Sequence, residues 1–85
     1  MIQLTRSKTS SNVHRFYAMH LAPTLFGKWA LVAEWGRIGS PAQVREQLFE
    51  TEPDAQAALT KRLRIKTRRG YIRASWESAW PTHNA

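Results

Sequence analysis

Two stretches of this chain carry residue types that can act on a polyanion. In Trp35-Gly36-Arg37 an indole, a bare backbone and a guanidinium follow one another. An aromatic face stacks on a base or sugar without demanding a sequence, a glycine lets another backbone approach, and a guanidinium forks onto phosphate oxygens. The second stretch runs from residue 61 to 73, where Lys61, Arg62, Arg64, Lys66, Arg68, Arg69 and Arg73 supply seven basic residues with no acid among them. Glu46, Glu50, Glu52 and Asp54 gather just upstream, so charge is polarised along the chain. A formal charge of +7 on 85 residues makes nucleic acid the first partner to expect, because a basic surface raises both the encounter rate and the affinity for polyanions. The plainer reading of such a run is a solvated helix face that keeps a protein soluble. In the binding reading Lys61, Arg64, Arg68 and Arg69 hold phosphates, while Trp35 and Arg37 address a strand end or an exposed sugar.

Other chemistries find no residues. His14, His20 and His83 lack metal-ligand spacing and no acid completes a site with them. The few carboxylates form no acid and base pair, and no Ser, His and Asp set can be nominated. The expectation is a non-enzyme with no catalytic residue, metal, cofactor or small-molecule substrate. The chain has no cysteine, so the apolar core alone must hold the fold, and a reducing cytoplasm suits it. Its first residues offer neither a signal core nor a membrane span, which predicts a soluble, unprocessed protein.

The elements that must position these residues are legible in outline. Before Pro53 short apolar and polar alternations read as strands over 2–6, 15–21, 29–35 and 43–49; after it the spacing becomes helical. In the second strand Phe16, Ala18 and His20 face one way and Tyr17, Met19 and Leu21 the other. In the third, Trp29, Leu31, Ala33 and Trp35 share a face, opposite Ala30, Val32 and Glu34, and both faces read as at least partly covered. Gly36, Gly39, Ser40 and Pro41 mark a tight reversal. Thr51, Pro53 and Asp54 predict a capped helix beginning near Glu52, with Ala55, Ala58, Leu59 and Leu63 on its buried stripe and Gly70 at its end. The class is α+β: a small antiparallel β-sheet with one packed α-helix, as a single domain over 1–76 with a last short strand over 71–76 and a tail over 77–85. Phe16, Tyr17, Phe26, Trp29 and Phe49 read as packing. Trp76 and Trp80, four residues apart, read as a cap on an open edge of the core, or else as an exposed patch for a partner protein.

The run Trp35-Gly36-Arg37-Ile38-Gly39, with Gln43 on the return, resembles the signature of the WGR domain. Arg15-Phe16-Tyr17, Trp29-Ala30-Leu31-Val32, the helix over 55–63 and Lys66-Thr67-Arg68-Arg69-Gly70-Tyr71 fall in matching order, and the likeness covers roughly residues 2–72. WGR domains are small antiparallel sheets with one helix, found in eukaryotic poly(ADP-ribose) polymerases and as short free-standing bacterial proteins. In the polymerases the domain is non-catalytic and engages DNA at a break, its Trp on the sugar near a strand end and its Arg making polar contacts. The resemblance implies that architecture here and a site of Trp35, Gly36, Arg37, Gln43 and Tyr71 beside the basic Lys61, Arg64, Lys66, Arg68 and Arg69. It implies nucleic acid as partner, DNA ahead of RNA, without sequence specificity. Ala42 stands where the family commonly has Gly, which puts the shape of the loop over 40–43 in question, and no polymerase catalytic domain accompanies the motif. The alternative is a protein-interaction adaptor that docks through Arg37 and the Trp76 and Trp80 segment.

Overall fold

A computed structural model of the chain describes residues 1–8 and 13–73. Its elements run β1 (Ile2–Lys8), β2 (Val13–Pro23), β3 (Trp29–Arg37), β4 (Gln43–Phe49), α1 (Glu52–Arg68) and β5 (Ile72–Arg73). The strands form one five-stranded sheet in the order β4-β3-β2-β1-β5, and every pairing is antiparallel. Consecutive hairpins lay down β1 to β4 from one side of the sheet to the other. The chain must then return from the β4 edge to the β1 edge to place β5. A helix of this length spans about 25 Å, and five strands span roughly 19 Å, so α1 can make that crossing over one face of the sheet.

The helix ends are built as the residues predict. Thr51 is the N-cap, its Oγ1 accepting a hydrogen bond from the Asp54 N–H at 3.2 Å, with proline in the first turn. Glu52 and Asp54 lie in the first turn and Lys66 and Arg68 in the last, matching the helix dipole at both ends. Beyond Arg69, Gly70 adopts a left-handed φ of 96°, a conformation that favours glycine, and Tyr71 N–H returns to the Lys66 carbonyl at 3.1 Å.

The core lies between α1 and the sheet face carrying Leu4, Tyr17, Met19, Leu31 and Ala33, closed by Leu59 and Tyr71. Ala55 is also fully buried, and Ala58, Leu63, Leu21, Phe49 and Trp35 pack partly buried against this cluster. Strand parity is as the alternation predicts. The opposite face of β3 is partly covered, as its composition suggests: Ala30 is buried, and Val32 and Glu34 are partly so.

Two packing expectations need correction. Phe26 is 90% exposed, because it sits in the reversal after β2 where Thr24 N–H bonds the Lys28 carbonyl and Gly27 takes a φ of 78°, which carries the turn's side chains off the sheet. Trp29 is partly buried but stands outside the core cluster, at the sheet end where it pairs with Pro23 and Phe49. The strand expected over 71–76 is described only as Ile72–Arg73. Trp76, Trp80, His83 and the tail over 77–85 lie outside the described residues.

Candidate nucleic-acid interface

Register brings the signature together. Trp35 pairs with Tyr17 on one side and Gln43 on the other, so these three residues and Leu4 form one row on the helix-covered face. The Trp35 ring stacks on Tyr17 with centroids 5.9 Å apart at 20°, and Tyr71 meets Tyr17 edge-on at 6.3 Å. Trp35 therefore has one face fixed against the core while the ring remains partly exposed.

Two clefts meet at this indole. The first, of about 280 Å³, is lined by Arg15, Trp35, Gly36, Arg37, Gln43 and Tyr71. The second, of about 260 Å³, is lined by Tyr17, Trp35, Arg45, Arg62 and Lys66. Neither is lined by a carboxylate. In the second, Arg62 Nη1 donates to the Tyr17 hydroxyl at 3.2 Å, and Lys66 Nζ lies 4.4 Å from the Tyr17 ring centre and 5.6 Å from that of Tyr71. Lys66 thus makes a cation–π contact with Tyr17 and a longer one with Tyr71. Burial first, then the charges of Arg69 and Arg62, hold the Lys66 ammonium below its ordinary pKa of 10.5.

Of the residues expected to bind, Trp35, Gly36, Arg37, Gln43 and Tyr71 share one cleft and Lys66 lines the other. Lys61, Arg64, Arg68 and Arg69 are exposed and line neither. At 100° per residue Lys61, Arg64 and Arg68 lie on the side of α1 turned away from Ala55 and Leu59, so they form a separate outer patch. Gly36 contributes only backbone: a Cβ built on it would sit 3.5 Å from the Phe16 ring, on the opposite sheet face, at ordinary contact distance. Ala42 does not disturb the return, since Gln43 still pairs with Trp35 and Ser40 N–H bonds the Arg37 carbonyl at 3.0 Å, with Gly39 at a φ of 91°.

The residues expected to bind leave out Arg15 and Arg45, and Arg62 enters only as part of the basic run. The signal for them is positional. Arg15 and Arg45 have the strand parity of Tyr17 and Trp35, and Arg62 lies three residues past Leu59 and four before Lys66, on the inward edge of the helix.

Among the described residues no helix is long and apolar enough to cross a membrane. No solved structure matches the chain. A protein of Sinorhizobium fredii (strain NBRC 101917 / NGR234), described as uncharacterized protein y4dW, is 40% identical over 70 residues, which is 82% of this chain but 34% of the relative. The chain thus spans about a third of that relative's length. The WGR domain matches residues 1–78, further than the signature and helix alone reach, so the matched span includes Trp76. On that match, nearly the whole length of the sequence, the chain belongs to the WGR domain family, a family of binding modules associated with nucleic acid.

Proposed function

We propose that this domain is a non-catalytic module that binds nucleic acid, DNA ahead of RNA, at strand ends or breaks and without sequence specificity. One observation carries the reading: Trp35 is backed by Tyr17, partly exposed, and shared by two clefts lined with arginine and lysine and with no acid. An indole so held offers a stacking surface that costs little to order, and the flanking cations suit phosphates on either side of whatever unit stacks. Arg37 and Gln43 supply polar contacts beside the ring. Arg45, Arg62 and Lys66 hold backbone phosphate, and the outer patch of Lys61, Arg64 and Arg68 adds long-range attraction. None of these cations lies on a recognition helix set to read base edges.

The test is a binding panel of blunt, nicked, overhanging and single-stranded DNA with matching RNA at two salt concentrations. With around five phosphates neutralised, the logarithm of duplex affinity falls against the logarithm of salt with a slope on the order of −4 to −5. A slope near zero, or no binding at low salt, removes the reading. A protein adaptor is the second reading. It is favoured by the sheet face opposite α1, where Ile38, Val44, Leu48 and Ile72 are exposed. Capture from nuclease-treated lysate separates the two, since partners bridged by nucleic acid disappear.

A further inference from the structure

Each strand of the sheet carries at least one arginine, and the register puts Arg6, Arg15, Arg37, Arg45 and Arg73 all on the face that α1 covers in part. Three of them are aligned. Arg6 pairs directly with Arg15, and Arg15 directly with Arg37, so a row of guanidiniums crosses β1, β2 and β3. Directly opposite residues in antiparallel strands have Cα atoms about 4.5–5.5 Å apart, so the three side chains start within roughly 10 Å of one another. The row lies one same-face step beyond Leu4, Tyr17 and Trp35, at the C-terminal end of α1: Arg6 Nε lies 3.7 Å from where a Cβ on Gly70 would be.

Like charges directly opposite one another destabilise a sheet. Among the described residues no carboxylate pairs with Arg6, Arg15 or Arg37; the ion pair of Lys28 with Glu50 at 3.2 Å joins the segments before β3 and after β4. The negative end of the α1 dipole offsets part of the repulsion. Arg15 and Arg37 are exposed, so solvent screens part of the remainder, and an anionic chain along the row relieves what is left.

We infer that Arg6, Arg15 and Arg37 form a second phosphate subsite, running across the strands, that holds the sugar-phosphate backbone of the same strand whose exposed unit stacks on Trp35. This rests on the nucleic-acid reading and adds a path to it. The bound backbone crosses from β3 toward β1 past the end of α1, and does not follow the outer patch of Lys61, Arg64 and Arg68. Guanidiniums suit the task because each can fork onto two oxygens of one phosphate.

A role in binding and a role in folding predict opposite signs for one substitution. Arg15→Gln is made in the full chain, and three quantities are read: the melting temperature without ligand, the affinity for a short blunt DNA duplex, and the salt slope of that affinity. The subsite predicts a melting temperature raised by about 1–5 °C as repulsion is relieved, an affinity lowered about five- to twentyfold, and a slope flatter by about one. Arg15→Lys keeps the charge and retains the slope. A lowered melting temperature, or an unchanged affinity and slope in Arg15→Gln while Arg64→Gln flattens the slope, overturns the subsite and leaves the nucleic-acid reading standing. If the parent protein binds no duplex at low salt, the reading falls and the subsite with it.

Discussion

Replacing Trp35 by Ala separates the two roles of that side chain. Stacking on a base or sugar is worth roughly 1–3 kcal/mol per contact and is made where a terminal or exposed unit is available, so binding to blunt ends weakens about 5- to 150-fold while binding to closed circular duplex changes little. The same substitution removes the stack on Tyr17. Its cost in stability stays at or below the roughly 3–5 kcal/mol of a fully buried indole, because part of the ring is already solvated. Trp35→Phe keeps an aromatic face against Tyr17 and serves as the folded control. Equal binding of ends and circles by a folded Trp35→Ala protein removes the end-binding role. Lys66 gives a second, pH-dependent signature. Its pKa in the folded domain is lowered by burial and by Arg69 and Arg62, so in the free domain it disfavours folding at pH values under that lowered pKa. The cost is relieved as pH rises from there toward 10.5. A bound phosphate favours the ammonium form, so nucleic-acid affinity declines as pH rises through the lowered pKa. Lys66→Arg, charged throughout, holds its affinity over that range. Anisotropy titrations at successive alkaline pH values check this, and superimposable profiles would take Lys66 out of the interface.

Helix α1 presents two cationic surfaces, and they divide the work. Its inward edge carries Arg62 and Lys66 into the cleft beside Trp35, while Lys61, Arg64 and Arg68 face away from the sheet. Replacing Arg64 and Arg68 together by Gln weakens binding to every polyanion alike and flattens the salt slope by up to about two, leaving the ratio of end to circle affinity unchanged. A changed ratio would mean that the outer patch touches the end itself. The helix was legible because its signals are local: Thr51 caps by accepting the Asp54 N–H, and Ala55, Leu59 and Leu63 recur with the helical period. The strands were legible by parity, which set Phe16 and Ala18 on one face and Tyr17 and Met19 on the other, while the packing of α1 decided that the second is the core side. Phe26 misleads because apolar character says nothing about whether a turn projects its side chains toward the core or away from it.

Across the whole molecule, every strand arginine shares the α1 side of the sheet, while Ile38, Val44, Leu48 and Ile72 are exposed apolar residues elsewhere on the surface. Sequence by itself determined the α+β class, the capped helix, the Trp35-Gly36-Arg37 motif and the excess of positive charge, since each depends on residue type or on spacing along a single element. Only the tertiary structure decided which cations stand beside Trp35. Arg15, Arg45 and Arg62 are separated from it by between 10 and 27 positions in the chain and reach its clefts through strand register and helix rotation. Arg64 and Arg68, in the densest basic run, are turned away by the same rotation. The alignment of Arg6, Arg15 and Arg37 is likewise a property of register: a shift of one residue in either pairing would put neighbouring arginines on opposite faces, and the repulsive row would not exist.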